Sequence, residues 1–194
     1  MTRAGLRFVG QEREWASRIR SGDPSALEFV FRAYHVELSD FVYGYVRSRE
    51  VTDDLVHDVF AKLWEGREQL HVRDSLRSYL YSAARNHAIS HLRHVLVERR
   101  WRERMVQGEP AVARFDDDAQ HRLEDQELAG AVERVVEQLP ERCRLALTLR
   151  WQRQMSYAEV AEVMGISVKT VEAYVTRGVA VLRHNYERLV PYLR

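Results

Sequence analysis

Residues Ser156 to Arg183, SYAEVAEVMGISVKTVEAYVTRGVAVLR, decide the fold predicted for the C-terminal part of the chain. Ser156, followed three residues later by Glu159, has the pattern of a capping box, which starts a helix. Gly165 interrupts the apolar pattern where the chain has to turn, a position that favours a positive φ. Ser167 then predicts the N-cap of a second helix. Apolar residues at helical spacing define the inward face of that helix: Val168, Val171, Val175, Val179 and Leu182.

The same stretch has the features of a helix-turn-helix, whose second helix lies in the major groove of DNA. Ala161 is small enough to let the two helices approach closely, Gly165 follows four residues later, and the apolar Val171 comes six residues after that. The alternative is an ordinary helical hairpin ended by a glycine. Polar or small residues of the second helix are predicted to face outward: Lys169, Thr170, Glu172, Ala173, Thr176 and Arg177.

Charge is segregated along the chain rather than in excess. The 194 residues include 30 Lys or Arg and 29 Asp or Glu, so the formal net charge is only +1. A DNA-binding surface would therefore have to come from local clusters of basic residues. The net charge is +4 over residues 85–104, −5 over residues 109–127 and +3 over residues 168–194.

The single cysteine and the hydropathy pattern indicate where the chain works. Cys143 has no partner for an intrachain disulfide, which fits a reducing cytoplasm, and its apolar helical surroundings predict a buried thiol. No hydrophobic run approaches the ~20 residues of a membrane span, and the N-terminus lacks the apolar core of a signal peptide. We therefore expect a soluble cytoplasmic protein without membrane insertion.

The periodicity predicts an all-α fold with two small helical domains. Asp23 and Pro24 suit the N-cap and first position of a helix. Residues 98–125 lose the apolar pattern and include an acidic run, which predicts a flexible linker. Leu128 opens a new amphipathic pattern, and Pro140 starts a further helix before the helix-turn-helix. The predicted helices of the first domain are 12–20, 24–47, 52–68 and one from about 75 past 97. The predicted domains are 11–97 and 126–193.

Four blocks in this order resemble one family. They are DDLVHDVFAKLWE at 53–65, SLRSYLYSAARNHAISHLR at 75–93, LPERCRLALTLR at 139–150, and the helix-turn-helix. Together they resemble a bacterial RNA polymerase sigma factor of the extracytoplasmic-function (ECF) group of the sigma-70 family. The resemblance implies a transcription initiation factor that binds core RNA polymerase, directs it to specific promoters and helps to melt the minus-ten element. Domain 11–97 would be region 2 and domain 126–193 would be region 4, which reads the minus-thirty-five element.

The resemblance also implies three sets of binding residues. The polymerase-binding set is Asp54, His57, Asp58, Phe60, Lys62 and Trp64. The minus-ten set comprises a loop that would pocket an extruded base and a helix that would follow the melted strand: Val72, Arg73, Asp74, Ser75, Arg85, Asn86, Ser90 and Arg93. The minus-thirty-five set is Lys169, Thr170, Glu172, Ala173, Tyr174, Thr176 and Arg177. The alternatives are that Phe60 and Trp64 are core residues and that Arg85 and Arg93 belong to a solvated helix face.

Partners follow from the same resemblance. Promoter DNA would be bound both as duplex and as melted strand, and an anti-sigma factor is expected to hold the free chain. The acidic linker would mimic nucleic acid in the polymerase channel, or would serve only as a solubilising tether. Because the sequence has no ATP-binding loop, binding energy rather than hydrolysis would have to drive strand opening.

Two other classes of protein remain open at this level. A DNA-binding regulator that acts without polymerase would share the helix-turn-helix. A hydrolase could use the His57-Asp58 pair as metal phosphohydrolases do, and His87, His91 and His94 are spaced to share one helix side, as a zinc site would need. Neither histidine group has the further ligands that such sites need, so we expect no catalytic residue, no cofactor and no metal.

Overall fold

The computed structural model describes residues 11–70, 75–105 and 138–185 of the chain, with side chains up to residue 98 in the second range. These residues form seven α-helices and no strand, which confirms the predicted all-α class. The helices are α1 Glu12–Arg20, α2 Pro24–Val46, α3 Arg49–Glu65, α4 Leu76–Met105, α5 Glu141–Leu147, α6 Tyr157–Met164 and α7 Val168–His184.

The chain divides into two compact units. The first is Met1–Gly108 together with Glu162–Met164, and the second is Glu109–Ala161 together with Gly165–Arg194. The helix predicted from Leu128 lies outside the described residues, as does the predicted linker apart from the residues that α4 occupies.

Local capping explains where α2 and α3 begin. Asp23 caps α2, its Oδ1 accepting from the Ser25 backbone N–H at 2.9 Å, and Pro24 takes the first helical position as predicted. The predicted start of α3 at Thr52 is wrong, because the Ser48 hydroxyl accepts from the Val51 N–H at 3.4 Å and caps a helix that starts at Arg49. The Thr52 hydroxyl instead donates to the Ser48 carbonyl at 2.7 Å, inside the first turn. The predicted end of α3 at residue 68 is also wrong, because α3 ends at Glu65 and Gly66 is its C-cap.

A buried polar network ties the helices of the first unit together. Glu12, at the start of α1, accepts a hydrogen bond from the Tyr34 hydroxyl at 2.6 Å and one from the Arg77 backbone N–H at 3.3 Å. Glu37 accepts from the Tyr81 hydroxyl at 3.2 Å, and its Oε2 lies 4.0 Å from Nη2 of Arg77. Because all five residues are buried, these bonds fix α1 and α2 against the first turns of α4.

Residues 156–184 form the helix-turn-helix that the sequence predicts. Ser156 and Glu159 form a reciprocal capping box, with bonds of 2.8 and 3.2 Å to each other's backbone N–H. Gly165 adopts φ +65°, and the N–H of Ile166 donates to the Ala161 carbonyl, so the turn closes α6 as a Schellman motif. The Ser167 hydroxyl accepts from the Thr170 N–H at 3.1 Å and caps α7.

Close packing of α5 on α7 holds α7 in place. A Cβ at the buried Gly178 would lie 2.7 Å from Cδ1 of Leu147, so the absence of a side chain lets the two helices approach. Cys143 faces the same core and is buried, as predicted. Val171 and Val175 are buried on the inner face of α7, but the prediction for Val168 is wrong: it lies in the first turn and is 41% exposed.

Candidate nucleic-acid and protein interfaces

The outer face of α7 carries the residues that sequence analysis assigned to DNA. Thr170 and Tyr174 are half-buried, and the other five are exposed: Lys169, Glu172, Ala173, Thr176 and Arg177. Described residues 138–185 include seven Lys or Arg against four Glu, so this part of the chain has a net positive charge. A helix with one buried apolar side and one exposed side with hydrogen-bonding groups can enter a major groove and contact base edges.

Hydrogen bonds hold the two half-buried members of this set. The Thr170 hydroxyl lies 2.8 Å from that of Ser167, so it takes part in the helix cap. The Tyr174 hydroxyl accepts from Nη1 of Arg142 at 3.3 Å. Sequence reasoning missed Arg142, because it lies 32 residues from Tyr174 on another helix and no periodicity links the two.

Two more side chains in residues 138–185 were also missed by sequence reasoning. The guanidinium of Arg150 lies 5.3 Å from the centre of the Tyr157 ring and donates to the Met155 carbonyl at 3.2 Å. Trp151, in the π-helical turn Thr148–Gln152, is 51% exposed. A fixed cation and an exposed indole are groups that contact phosphates or a protein partner.

The outer face of α3 is charged and its inner face is apolar. Asp54, His57, Asp58 and Lys62 are exposed, and Trp64 is half-buried. Phe60 is a core residue, as the alternative stated above has it, because it is only 4% exposed and packs on Phe31 of α2, with ring centres 4.8 Å apart. The exposed face therefore offers charges and an imidazole, with Trp64 as the aromatic group at its end.

Neighbouring groups fix several side chains of the α3 face. Nδ1 of His57 lies 2.8 Å from the Asp53 carbonyl oxygen. The guanidinium of Arg67 covers the Trp64 ring at 4.7 Å from its centre and donates to the Trp64 carbonyl at 2.8 Å. Such fixed side chains lose little further conformational entropy when a partner binds.

Lys62 of α3 contacts α4. Its Nζ lies 3.2 Å from Nε2 of His87, so a neutral His87 accepts from the ammonium group. Burial, followed by the positive charge of Lys62, lowers the pKa of His87 below its ordinary value, while the Asp58 carboxylate opposes the shift. His87 is therefore held in the neutral form at neutral pH.

The outer face of α4 carries part of the predicted minus-ten set. Asn86, Ser90 and Arg93 are exposed and lie four and three residues apart, so they share one side of the helix. Arg85 is half-buried, and its buried Nε has no hydrogen-bond partner among the described residues. Ser75 is half-buried, and its hydroxyl accepts from the Ser78 N–H at 3.2 Å, which gives it a structural role at the start of α4. Val72, Arg73 and Asp74 lie outside the described residues.

In ranges 11–70, 75–105 and 138–185 no three His, Cys, Asp or Glu side chains are grouped so that they could hold a metal ion. No helix in those ranges is both long enough and apolar enough to cross a bilayer.

Comparison with known proteins gives one consistent match. The family model for Sigma-70 region 2 matches residues 30–95, and that for Sigma-70, region 4 matches residues 129–182. The chain is similar to the RNA polymerase sigma-H factor of Pseudomonas aeruginosa, with 28% identity over 177 residues that cover 86% of this chain and 89% of that protein. It is similar to the ECF RNA polymerase sigma-E factor of Escherichia coli, with 27% identity over 180 residues that cover 89% of this chain and 93% of that protein. Its fold resembles that of the sigma factor RpoE from Bartonella quintana, which was solved in complex with the anti-sigma factor NepR. The TM-score is 0.59 at 19% identity, and the match covers 82% of this chain and 96% of that one.

Proposed function

This chain belongs to the ECF group of the sigma-70 family, and on that premise we propose a division of labour within it. As a sigma factor, it is a transcription initiation factor that directs RNA polymerase to promoters. We assign core-polymerase binding and the minus-ten element to residues 11–97, the minus-thirty-five element to residues 126–193, and a tether to residues 98–125.

The separation of buried and exposed residues on opposite sides of α7 supports the proposal for the upstream element. The helix buries Val171 and Val175 while Lys169 and Arg177 stay exposed on the opposite side. Arg177 can bind guanine or a phosphate, and Glu172 can accept from the cytosine amino group. Arg142, fixed on Tyr174, adds a cation at the edge of the same surface.

The charged face of α3 supports polymerase binding. Asp54, His57, Asp58 and Lys62 lie exposed over slightly more than two helical turns, and Trp64 can supply the aromatic anchor at the end. Phe60 contributes from below, because its ring packs under this face and supports it through Phe31.

Strand opening would be driven by binding alone. Extruding a base from the stack costs a few kcal/mol, so the protein must return that free energy through contacts with the melted strand. Asn86 can hydrogen-bond a base edge and Arg93 can neutralise a phosphate, and both are exposed on one side of α4. In this role the chain needs no catalytic residue.

An anti-sigma factor is the further partner that we propose, because the similar structure from Bartonella quintana is a complex with one. The exposed faces of α3 and α7, which polymerase and DNA would cover, are the surfaces that such a partner would block. RNA polymerase works in the cytoplasm, so we propose that the chain works there too.

Transcription with reconstituted core polymerase tests the proposal. The full chain should co-elute with core polymerase and give transcripts that start at defined sites. Asp54→Ala combined with Asp58→Ala should lower polymerase affinity, whereas Glu50→Ala, an exposed carboxylate earlier on α3, should leave it unchanged.

Arg177 offers the matching test on DNA. Arg177→Ala should weaken binding to the upstream element by about 1–3 kcal/mol if the side chain makes a bidentate base contact. Arg183→Ala, an exposed arginine in the last turn of the same helix, serves as its control. A chain that binds DNA but neither co-elutes with polymerase nor supports transcription would be a separate regulator, and the proposal would be wrong.

A further inference from the structure

The solvent side of α2 carries an exposed apolar stripe; the guanidinium of Arg18 lies 6.0 Å from the centre of the Phe29 ring at one end of it. Phe29, Val36 and Tyr43 are spaced seven residues apart and are 50%, 68% and 40% exposed. Seven-residue spacing places side chains on one line along a helix, as in the contact line of a coiled coil. Large apolar side chains aligned and exposed in this way mark a surface that packs against a protein.

The aromatic residues of the stripe lie symmetrically about Val36, and the charges that flank Val36 are complementary. Phe29 and Tyr43 are aromatic and lie seven residues before and after it. Arg32 and Asp40 are oppositely charged, exposed, and lie four residues before and after it. When two copies of such a helix pack antiparallel across a two-fold axis at Val36, each Arg32 faces Asp40 of the other copy and each Phe29 faces Tyr43.

A cavity beside the stripe suits the incoming arginine. It has a volume of about 500 Å³ and lies between α2 and the first turns of α3. Asp40 and Asp53 line it together with Arg49, so its carboxylates outnumber its cations. The Ser39 hydroxyl on its wall is buried and has no hydrogen-bond partner among the described residues. A guanidinium entering the cavity would meet two carboxylates, those of Asp40 and Asp53.

We propose that the outer face of α2 is a self-association surface, on which a second copy of this chain packs antiparallel with Arg32 in the cavity beside Asp40. Arg32 is available for this role. Its present partner is Glu28 one turn earlier on the same helix, and both side chains are well exposed, 74% and 60%. An exposed pair of this kind is worth little, so exchanging it for Asp40 of the second copy costs little.

The contact surface is small, so we expect the dimer to be weak. Phe29 and Tyr43 are 14 residues apart, so the contact is about 21 Å long, which is small for a specific interface. Self-association should therefore depend on concentration. The cavity lining includes Asp53, next to Asp54 of the proposed polymerase face, so the dimer and the polymerase complex would compete.

Complementary charge reversal tests this arrangement on the full chain by sedimentation velocity over a range of concentrations. The wild-type chain should sediment faster as its concentration rises. Arg32→Asp alone places two aspartates opposite each other, and Asp40→Arg alone places two arginines opposite each other. Each single variant should self-associate at least about tenfold more weakly than the wild type, because like charges face each other twice. Mixed in equal amounts, the two variants should associate to within a few-fold of the wild type.

A disulfide at the symmetry axis gives a second readout. Val36→Cys should cross-link to its own copy on mild oxidation, whereas Ala158→Cys, an exposed position on α6, should not. The native Cys143 is buried and should stay unreacted. A wild-type chain that stays monomeric at every concentration overturns the proposal. So do single variants that associate as well as the wild type, or a mixture that fails to restore association.

Discussion

Replacing Glu12 by alanine tests whether a buried carboxylate fixes the helices of the first unit. Glu12 is 3% exposed and accepts from both the Tyr34 hydroxyl, at 2.6 Å, and the Arg77 backbone N–H, at 3.3 Å. Burial, followed by the negative charge of Glu12, raises the pKa of Tyr34, so the hydroxyl remains a donor throughout the neutral range. The substitution would leave two buried donors without an acceptor.

The structure sets the size of the expected effect. Each buried donor left without a partner costs about 1–3 kcal/mol, so the free energy of unfolding should fall by about 2–6 kcal/mol. That is a large share of the roughly 5–15 kcal/mol that stabilises a typical domain. Tyr34→Phe removes one donor and leaves Glu12 bonded to Arg77, so it should cost less. In the double variant only the Arg77 N–H is left without an acceptor, so the two losses should not add.

Urea unfolding followed by tryptophan fluorescence measures these losses. Trp15 lies on α1, three residues after Glu12, and is 8% exposed, so it reports on the unit that the substitution affects. The other tryptophans are replaced by phenylalanine in every variant to isolate this signal. A loss below about 1 kcal/mol for Glu12→Ala, or strictly additive losses in the double variant, would show that the network does not hold the helices together.

Three further substitutions probe other contacts. Gly178→Ala should stabilise α7 by about 1 kcal/mol through helix propensity but cost about 1–3 kcal/mol because the new methyl group presses on Leu147. Urea unfolding should therefore show no net stabilisation of the second unit, and a clear gain would contradict the close approach of α5 and α7. Ser167→Ala removes the cap of α7 and should lower the free energy of unfolding by about 1 kcal/mol, whereas Ser167→Asp keeps a hydrogen-bond acceptor and should not lower it. Equal losses for the two variants in urea unfolding would exclude capping by this side chain. Because the pKa of His87 is lowered in the folded chain, its contribution to stability is full above its ordinary pKa of about 6.5 and is lost as the pH falls from there through the lowered pKa of the folded state. His87→Gln should therefore flatten the dependence of stability on pH, and an NMR titration that finds the pKa of His87 raised would reverse the sign. Lys62→Met should raise that pKa only partway, since burial is the larger cause.

Features with local causes were predictable from the sequence. The capping box at Ser156, the positive φ of Gly165, and the start of α2 at Asp23 each depend on a few neighbouring residues, and the structure has all three. The start of α3 was misplaced because two caps compete within five residues. Thr52 precedes two aspartates and gives the stronger sequence signal, yet the Ser48 hydroxyl makes the cap.

Features that depend on packing were not predictable. The apolar pattern of α3 has two adjacent stripes, and periodicity alone cannot say whether a neighbouring helix covers the second one. Phe31 of α2 covers it at Phe60. Val168 has the right spacing for the core but lies in the first turn of α7 and stays 41% exposed. The bonds of Glu12 to residues 22 and 65 positions away leave no trace in any periodicity.

The polymerase-binding and strand-binding surfaces proposed for the first unit are physically connected, and this limits which substitutions can separate them. Lys62 belongs to the α3 face, yet its ammonium group lies 3.2 Å from the imidazole of His87 on α4 and shifts its pKa. Removing Lys62 would therefore change the charge near Asn86 and the exposed side of α4 as well as the α3 face. Asp54 lies eight residues earlier on α3, about 12 Å along the helix axis, which exceeds the screening length at physiological salt. A loss of polymerase binding with Asp54→Ala can thus be assigned to the α3 face, whereas the same loss with Lys62→Met cannot.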